Sequence, residues 1–147
     1  MHRSAISLFA AALVPALWSA SALAKECYAP DARSQERAFS RAVTTEGGKV
    51  VWLGGQTGSP TASFDDQVHQ IFNELDKTIK AVGGSGLQDM TTMTVFITDA
   101  RLGDRLTQIR KEIFKECFPA SALISVSGLA RPGLLIEIQG IAVVGGK

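Results

Sequence analysis

Histidine is almost missing from this chain, with His2 and His69 the only two in 147 residues. A Ser-His-Asp or Cys-His relay therefore has little to draw on, and no Gly-x-Ser-x-Gly elbow is present to carry a nucleophile. His69 has no second His or Cys at ligand spacing, so it reads as a helix flank and no metal is expected. Neither sign of charge dominates: Lys plus Arg number 15 and Asp plus Glu 14. Without a basic stripe, nucleic acid and anionic membrane are not expected partners. The glycine-rich run Gly54-Gly55-Gln56-Thr57-Gly58 is not followed by Gly-Lys-Ser/Thr, which excludes a nucleotide phosphate loop.

The first 24 residues have the form of a secretory leader. Arg3 gives a positive start, Ser4 to Trp18 an apolar run, and Ala22-Leu23-Ala24 a small-x-small cleavage site. The alternative, an uncleaved anchor, is disfavoured because the apolar run is short and contains Pro15. After cleavage no stable membrane association is expected, and the localisation is periplasmic or secreted. Removing 24 from 147 leaves 123 residues, and losing Arg3 brings the basic residues to 14, equal to the acidic ones. That length suits one domain. The division expected is residues 1–24 as leader, 25–36 as a polar N-terminal arm and 37–147 as a single domain. Cys27 and Cys117 are the only cysteines. In an oxidising compartment a disulfide between them would close a loop of about 90 residues; two unpaired thiols are the alternative the sequence leaves open.

Alternation over Arg37 to Thr44, the Glu46-Gly47-Gly48 turn and Val50 to Leu53 predict a β-hairpin, followed by a loop over Gly54 to Pro60. Ser63 with Asp66 three residues on opens a helix whose Phe64, Val68, Ile71, Phe72, Leu75, Ile79 and Val82 form one apolar face, ended by Gly83-Gly84. Met90 to Thr98 alternates as a strand. From Arg101 the spacing is again helical, with Leu102, Leu106, Ile109, Ile113 and Phe114 inward, until Phe118-Pro119. Two apolar strands around a turn close the chain, Pro119 to Ser127 and Leu134 to Val144.

The order is β-β-α-β-α-β-β, and the class α+β: two helices on one face of a mainly antiparallel or mixed sheet. The last strand is apolar on both sides yet carries Glu137 and Gln139 on one face. A buried acid requires a partner, a water pocket or an interface. With one sheet face left bare, a homo-oligomer with sites between chains is expected.

The local strings that follow this layout are Phe39 to Val43, Gly55-Gln56, Asn73-Glu74-Leu75, Ala81-Val82-Gly83-Gly84, Val95 to Asp99, Phe118-Pro119-Ala120 and Ile136 to Ala142. In order and spacing, over nearly the whole chain after the leader, they resemble the RidA (YjgF/YER057c/UK114) family of enamine and imine deaminases. The resemblance implies a chorismate-mutase-like fold, a homotrimer with three clefts between subunits, a small-molecule ligand in each, and no cofactor. In active members an arginine in a Pro-x-Arg-Ser/Thr motif grips the substrate carboxylate, and a glutamate on the last strand positions the attacking water.

Glu137 stands at the glutamate position, as the expected catalytic residue. Ser121 stands at the arginine position and Ala122 after it, Phe39 replaces the usual tyrosine, and Gly54 replaces a serine. Phe39, Gly55, Ser121 and Gln139 are the expected substrate-binding residues, and Arg41 or Arg131 the candidates to replace the missing guanidinium. Two functions follow. One is an enamine/imine hydrolase with an altered substrate class, since a serine cannot replace a bidentate guanidinium. The other is a non-catalytic trimer that binds a small metabolite. The ribonuclease label that some family members carry fits poorly with balanced charge and the missing histidine pair.

Overall fold

The computed structural model describes residues 25–145, and the proposed leader lies outside them. The elements are β1 (Glu26–Tyr28), α1 (Ala32–Glu36), β2 (Ala42–Thr44), β3 (Lys49–Thr57), α2 (Phe64–Ala81), β4 (Met90–Ile97), α3 (Gly103–Phe114), β5 (Ala120–Ser125) and β6 (Ile136–Val144). Short 3-10 turns precede β4 and α3. β3, β6, β4 and β5 form one sheet in that order, while β1 and β2 form a separate two-stranded ribbon. β6 pairs antiparallel with β3 and β4, and β5 runs parallel to β4. The expected α+β class and mixed sheet are found.

Helix α2 starts where Ser63 Oγ accepts from the Asp66 N–H. Val68, Ile71, Phe72, Leu75 and Ile79 are sealed against Met93, Val95, Ile97, Ile136 and Ile138 of the sheet. Helix α3 adds Leu106 and Ile109, and the Phe72 and Phe114 rings meet edge to face at 5.6 Å. Within this core sits one amide, Gln67, fully buried but fully bonded. Its Nε2 donates to Ala62 O and Gly133 O, and its Oε1 accepts from Leu135 N at 3.0 Å. A buried amide with every bond made fixes its neighbours, here the loop that feeds β6.

Three expectations need correction. The hairpin over residues 37–53 does not form, because β2 takes β1 as its partner, with Cys27 opposite Val43. The break lies at Ala38, whose φ of 54° turns the chain out of an extended course. Second, the polar segment 25–36 holds β1 and α1, the latter capped by the Asp31 carboxylate; elements of three and five residues are too short to show a period. Third, Gly54 and Gly55 are not a loop but a bulge inside β3. Leu53 pairs with Gly140 and Gln56 with Ile138, so two glycines stand opposite Gln139 alone. The last two strands, though joined by a turn, do not sit side by side. β4 lies between them, and β5 is an edge strand.

Cys27 and Cys117 form a disulfide, with Cα atoms 5.2 Å apart across 90 residues of sequence. It ties the β1–β2 ribbon to the connection between α3 and β5. Replacing both cysteines by serine should lower stability by about 4 kcal/mol, the loop-closure entropy restored to the unfolded chain. The urea midpoint of the double variant checks this, and a midpoint equal to wild type would mean that the ribbon is held by its other contacts.

Candidate functional site

The expected site residues fall into two groups on opposite faces of the sheet. Met93 pairs with Ser121 and Phe96 with Glu137. Residues paired across strands share a face and successive residues alternate, so Met93 and Phe96 point opposite ways and their partners do too. Met93 is buried under the helices. Ser121 and Leu123 are therefore on the helix side, and Glu137 and Gln139 are on the bare side.

On the bare side the β3 bulge brings Gly55 under Glu137: a Cβ at position 55 would lie 2.0 Å from Glu137 Oε1. The carboxyl thus rests where only a glycine leaves room. Glu137 is half-buried and Gln139 exposed. Among the described residues no ion pair involves Glu137. Beside it, Trp52, Thr92, Thr94, Gln139 and Ile141 line a hollow of about 230 Å³.

On the helix side Phe39 and Ser121 line a cavity of about 250 Å³ with Arg33, Arg37, Thr107 and Arg110. Arg110 was not among the expected residues. It projects from α3 beneath the edge strand, and its Nη2 donates to the Ala38 carbonyl and, at 2.7 Å, to Ser121 Oγ. Burial, with the neighbouring Arg37 adding to it, pulls its pKa down to about 10. It remains a cation at neutral pH. The signal was present in the helical period: Arg110 is four residues after Leu106 and three before Ile113, inside the apolar stripe rather than opposite it.

Of the two arginines expected to replace the guanidinium, Arg41 does reach this edge, lining with Arg33, Phe39, Ser40 and Ser121 a more open hollow that adjoins the cavity. Arg41 pairs with Asp31, whose carboxyl is held below the usual range chiefly by the Ser34 hydroxyl and N–H, with Arg41 assisting. Arg131 is exposed in the loop between β5 and β6 and does not line this cavity. Phe39 and Ser121 are brought together, as are Gly55, Glu137 and Gln139, but one chain does not unite the two groups. Among the described residues no cluster of His, Cys, Asp and Glu is placed to hold a metal.

Residues 29–144 match the family model described as Endoribonuclease L-PSP. The protein DfrA of Myxococcus xanthus is 32% identical over 114 residues, covering 71% of this chain and 84% of that one. The human protein named 2-iminobutanoate/2-iminopropanoate deaminase is 26% identical over 114 residues, covering 73% and 80%. Among solved structures, the Rid-family protein YyfB of Yersinia pestis superposes with a TM-score of 0.70 at 23% identity, covering 82% of this chain and 98% of that one. A YjgF/YER057c/UK114 family member from Mycobacterium tuberculosis does so with a TM-score of 0.61 at 23% identity, covering 82% and 100%.

An arginine placed at position 121 would bring a second guanidinium against Arg110, with no carboxylate between them. Ser121→Arg should therefore destabilise the fold by about 1–3 kcal/mol. Thermal melts of the variant check this, and a melting temperature at or above wild type would contradict the close approach of Arg110 to strand β5.

Proposed function

Because the chain belongs to the RidA (YjgF/YER057c/UK114) family, the family of the Endoribonuclease L-PSP model, we propose that it is a cofactor-free hydrolase of small enamines and imines. The observation that carries this is the Glu137 carboxyl resting over Gly55 on an unpartnered sheet face. A carboxylate there can accept a proton from water as its oxygen bonds to the imine carbon. The carboxyl hands that proton to the imine nitrogen, the hydroxyl proton follows it there as the C–N bond breaks, and ammonia leaves a carbonyl compound behind. The deaminase names of relatives at 26% identity support that reaction class.

The working unit in this reading is a homotrimer. The bare face carries Trp52 at 79% and Val50 at 51% exposure, beside Ile141 and Val143, an apolar surface that a second and third copy would cover. Such packing is also what a complete site needs, since Glu137 and Ser121 of a single chain face apart. In this assembly Gly55, Glu137 and Gln139 of one chain meet Phe39 and Ser121 of the next. The leader-like first 24 residues and the disulfide support a periplasmic or secreted setting. The second reading, a non-catalytic metabolite-binding trimer, draws on Ser121, Phe39 and Gly54 standing where the family has polar or charged groups.

Purified protein should speed keto-acid and ammonia formation from freshly generated 2-iminopropionate. Glu137→Gln should lower the rate about 100-fold or more. Gly55→Ala should cut it as well by pushing the carboxyl aside, at a stability cost of only about 1 kcal/mol. Wild-type protein that leaves the imine's decay at its buffer rate would remove the hydrolase reading and favour the binding one. Separately, Trp52→Glu should convert a three-chain particle into monomers on light-scattering chromatography; a wild-type chain already running as a monomer would defeat the trimer.

A further inference from the structure

Arg110 is 4% exposed, yet no carboxylate is bonded to it. Its Nη2 hydrogens go to Ala38 O and Ser121 Oγ. Nε is sealed from solvent without an acceptor, and among the described residues Nη1 makes no hydrogen bond either. The other charged side chains of the cavity, Arg33 and Arg37, have the same sign, and Arg37 is paired outward with Asp104. A guanidinium held this way is costly, because burying a charge is offset only by an opposite charge and a full set of acceptors. An apolar residue would fill the same volume without that cost. An anionic acceptor within the cavity would offset that cost.

The hydroxyl beside it points to which anion. Ser121 Oγ accepts from Arg110 Nη2, so its own hydrogen is left to donate. A planar carboxylate has two acceptor oxygens at a spacing that suits two adjacent donors. We propose that Arg110, reaching from α3 to the strand position held by Ser121, is the carboxylate-binding residue of this protein. One ligand oxygen takes an Nη1 hydrogen of Arg110 and the other takes the Ser121 hydroxyl hydrogen, while Arg33 and Arg37 at the cavity wall add positive potential. The guanidinium absent from strand β5 is supplied from the helix beneath it. This deepens the hydrolase reading and rests on it for the reaction, naming what holds a small 2-imino acid by its carboxylate; as a statement about binding it stands by itself.

The test is a calorimetric titration of the full chain with pyruvate, which carries the carboxylate but does not turn over, alongside pyruvamide, its uncharged analogue. Wild type should bind pyruvate at least about tenfold more tightly than pyruvamide, as expected for a hydrogen bond to a charged group. Arg110→Met should abolish that preference, and Arg110→Lys should weaken it because an ammonium lacks the planar fork. Ser121→Ala should weaken pyruvate binding several-fold. If Arg110→Met does not fold, the lysine variant and the wild-type pyruvate-to-pyruvamide ratio still decide. An arginine that only props up the Ala38 turn would lower the melting temperature when replaced and leave the ratio unchanged, overturning the assignment. Equal affinity of wild type for the two ligands, or no binding of either, would also overturn it. Arg110-dependent pyruvate binding without imine hydrolysis would remove the hydrolase reading and keep this one, whereas hydrolysis of 2-iminopropionate indifferent to Arg110 would do the reverse.

Discussion

The buried Arg110 guanidinium joins parts of the chain that are far apart in sequence. It donates to the Ala38 carbonyl, 72 residues away, at the point where a positive φ turns the backbone from α1 toward β2. The same nitrogen donates to Ser121 on the edge strand. Phe39, next to the turn, is thereby set in the wall of the cavity that Ser121 also lines. The isolated bridge from Ser40 to Ala120 and the Cys27–Cys117 disulfide hold the same junction from either side. One cation, one turn and one covalent tie thus place the N-terminal ribbon against the α3–β5 edge, a region with few apolar contacts to hold it.

The central sheet imposes the second constraint. Its helix side is closed by α2 and α3, with Ile71, Leu75, Ile79, Leu106 and Ile109 shielded from solvent. The other side keeps a broad apolar surface and a half-buried acid. Alternation along a strand is strict, so Glu137 and Ser121 cannot be brought to one cleft by any local adjustment. Chemistry that needs both would require a second chain, and the apolar residues around Trp52 offer the surface on which the proposed assembly would pack.

Much of this architecture could be read from period and punctuation. The α2 stripe from Phe64 to Ile79, its Ser63 cap and the glycines after it were legible because many residues repeat one pattern. The β1–β2 ribbon was not, since Glu26–Tyr28 and Ala42–Thr44 are too short to show alternation and their pairing depends on a turn at an alanine, a residue that gives no sign of positive φ. The Gly54-Gly55 bulge resembled a loop because glycine marks both. Glu137 stood out as an acid within an apolar strand. Arg110 did not, because long cationic side chains on amphipathic helices usually lie along the surface with the charge in water. Its place within the apolar stripe of α3 was the one hint, and the packing of α3 under β5 shows that the side chain is enclosed.

That enclosure also changes how the serine at position 121 is understood. A guanidinium on an edge strand carries its full rotamer freedom and must be ordered when a ligand arrives. Arg110 is already ordered by the Ala38 carbonyl and the Ser121 hydroxyl, so less freedom remains to be lost on binding. The trade is in bond strength. A carboxylate held by one charged and one neutral donor gains less than one in a two-nitrogen fork. Phe39 and Gly54 carry no hydroxyl group, leaving orientation to shape and charge more than to a network of donors. A cleft built this way discriminates chiefly by the presence of a carboxylate and by size, and is tolerant of what the rest of a small ligand carries.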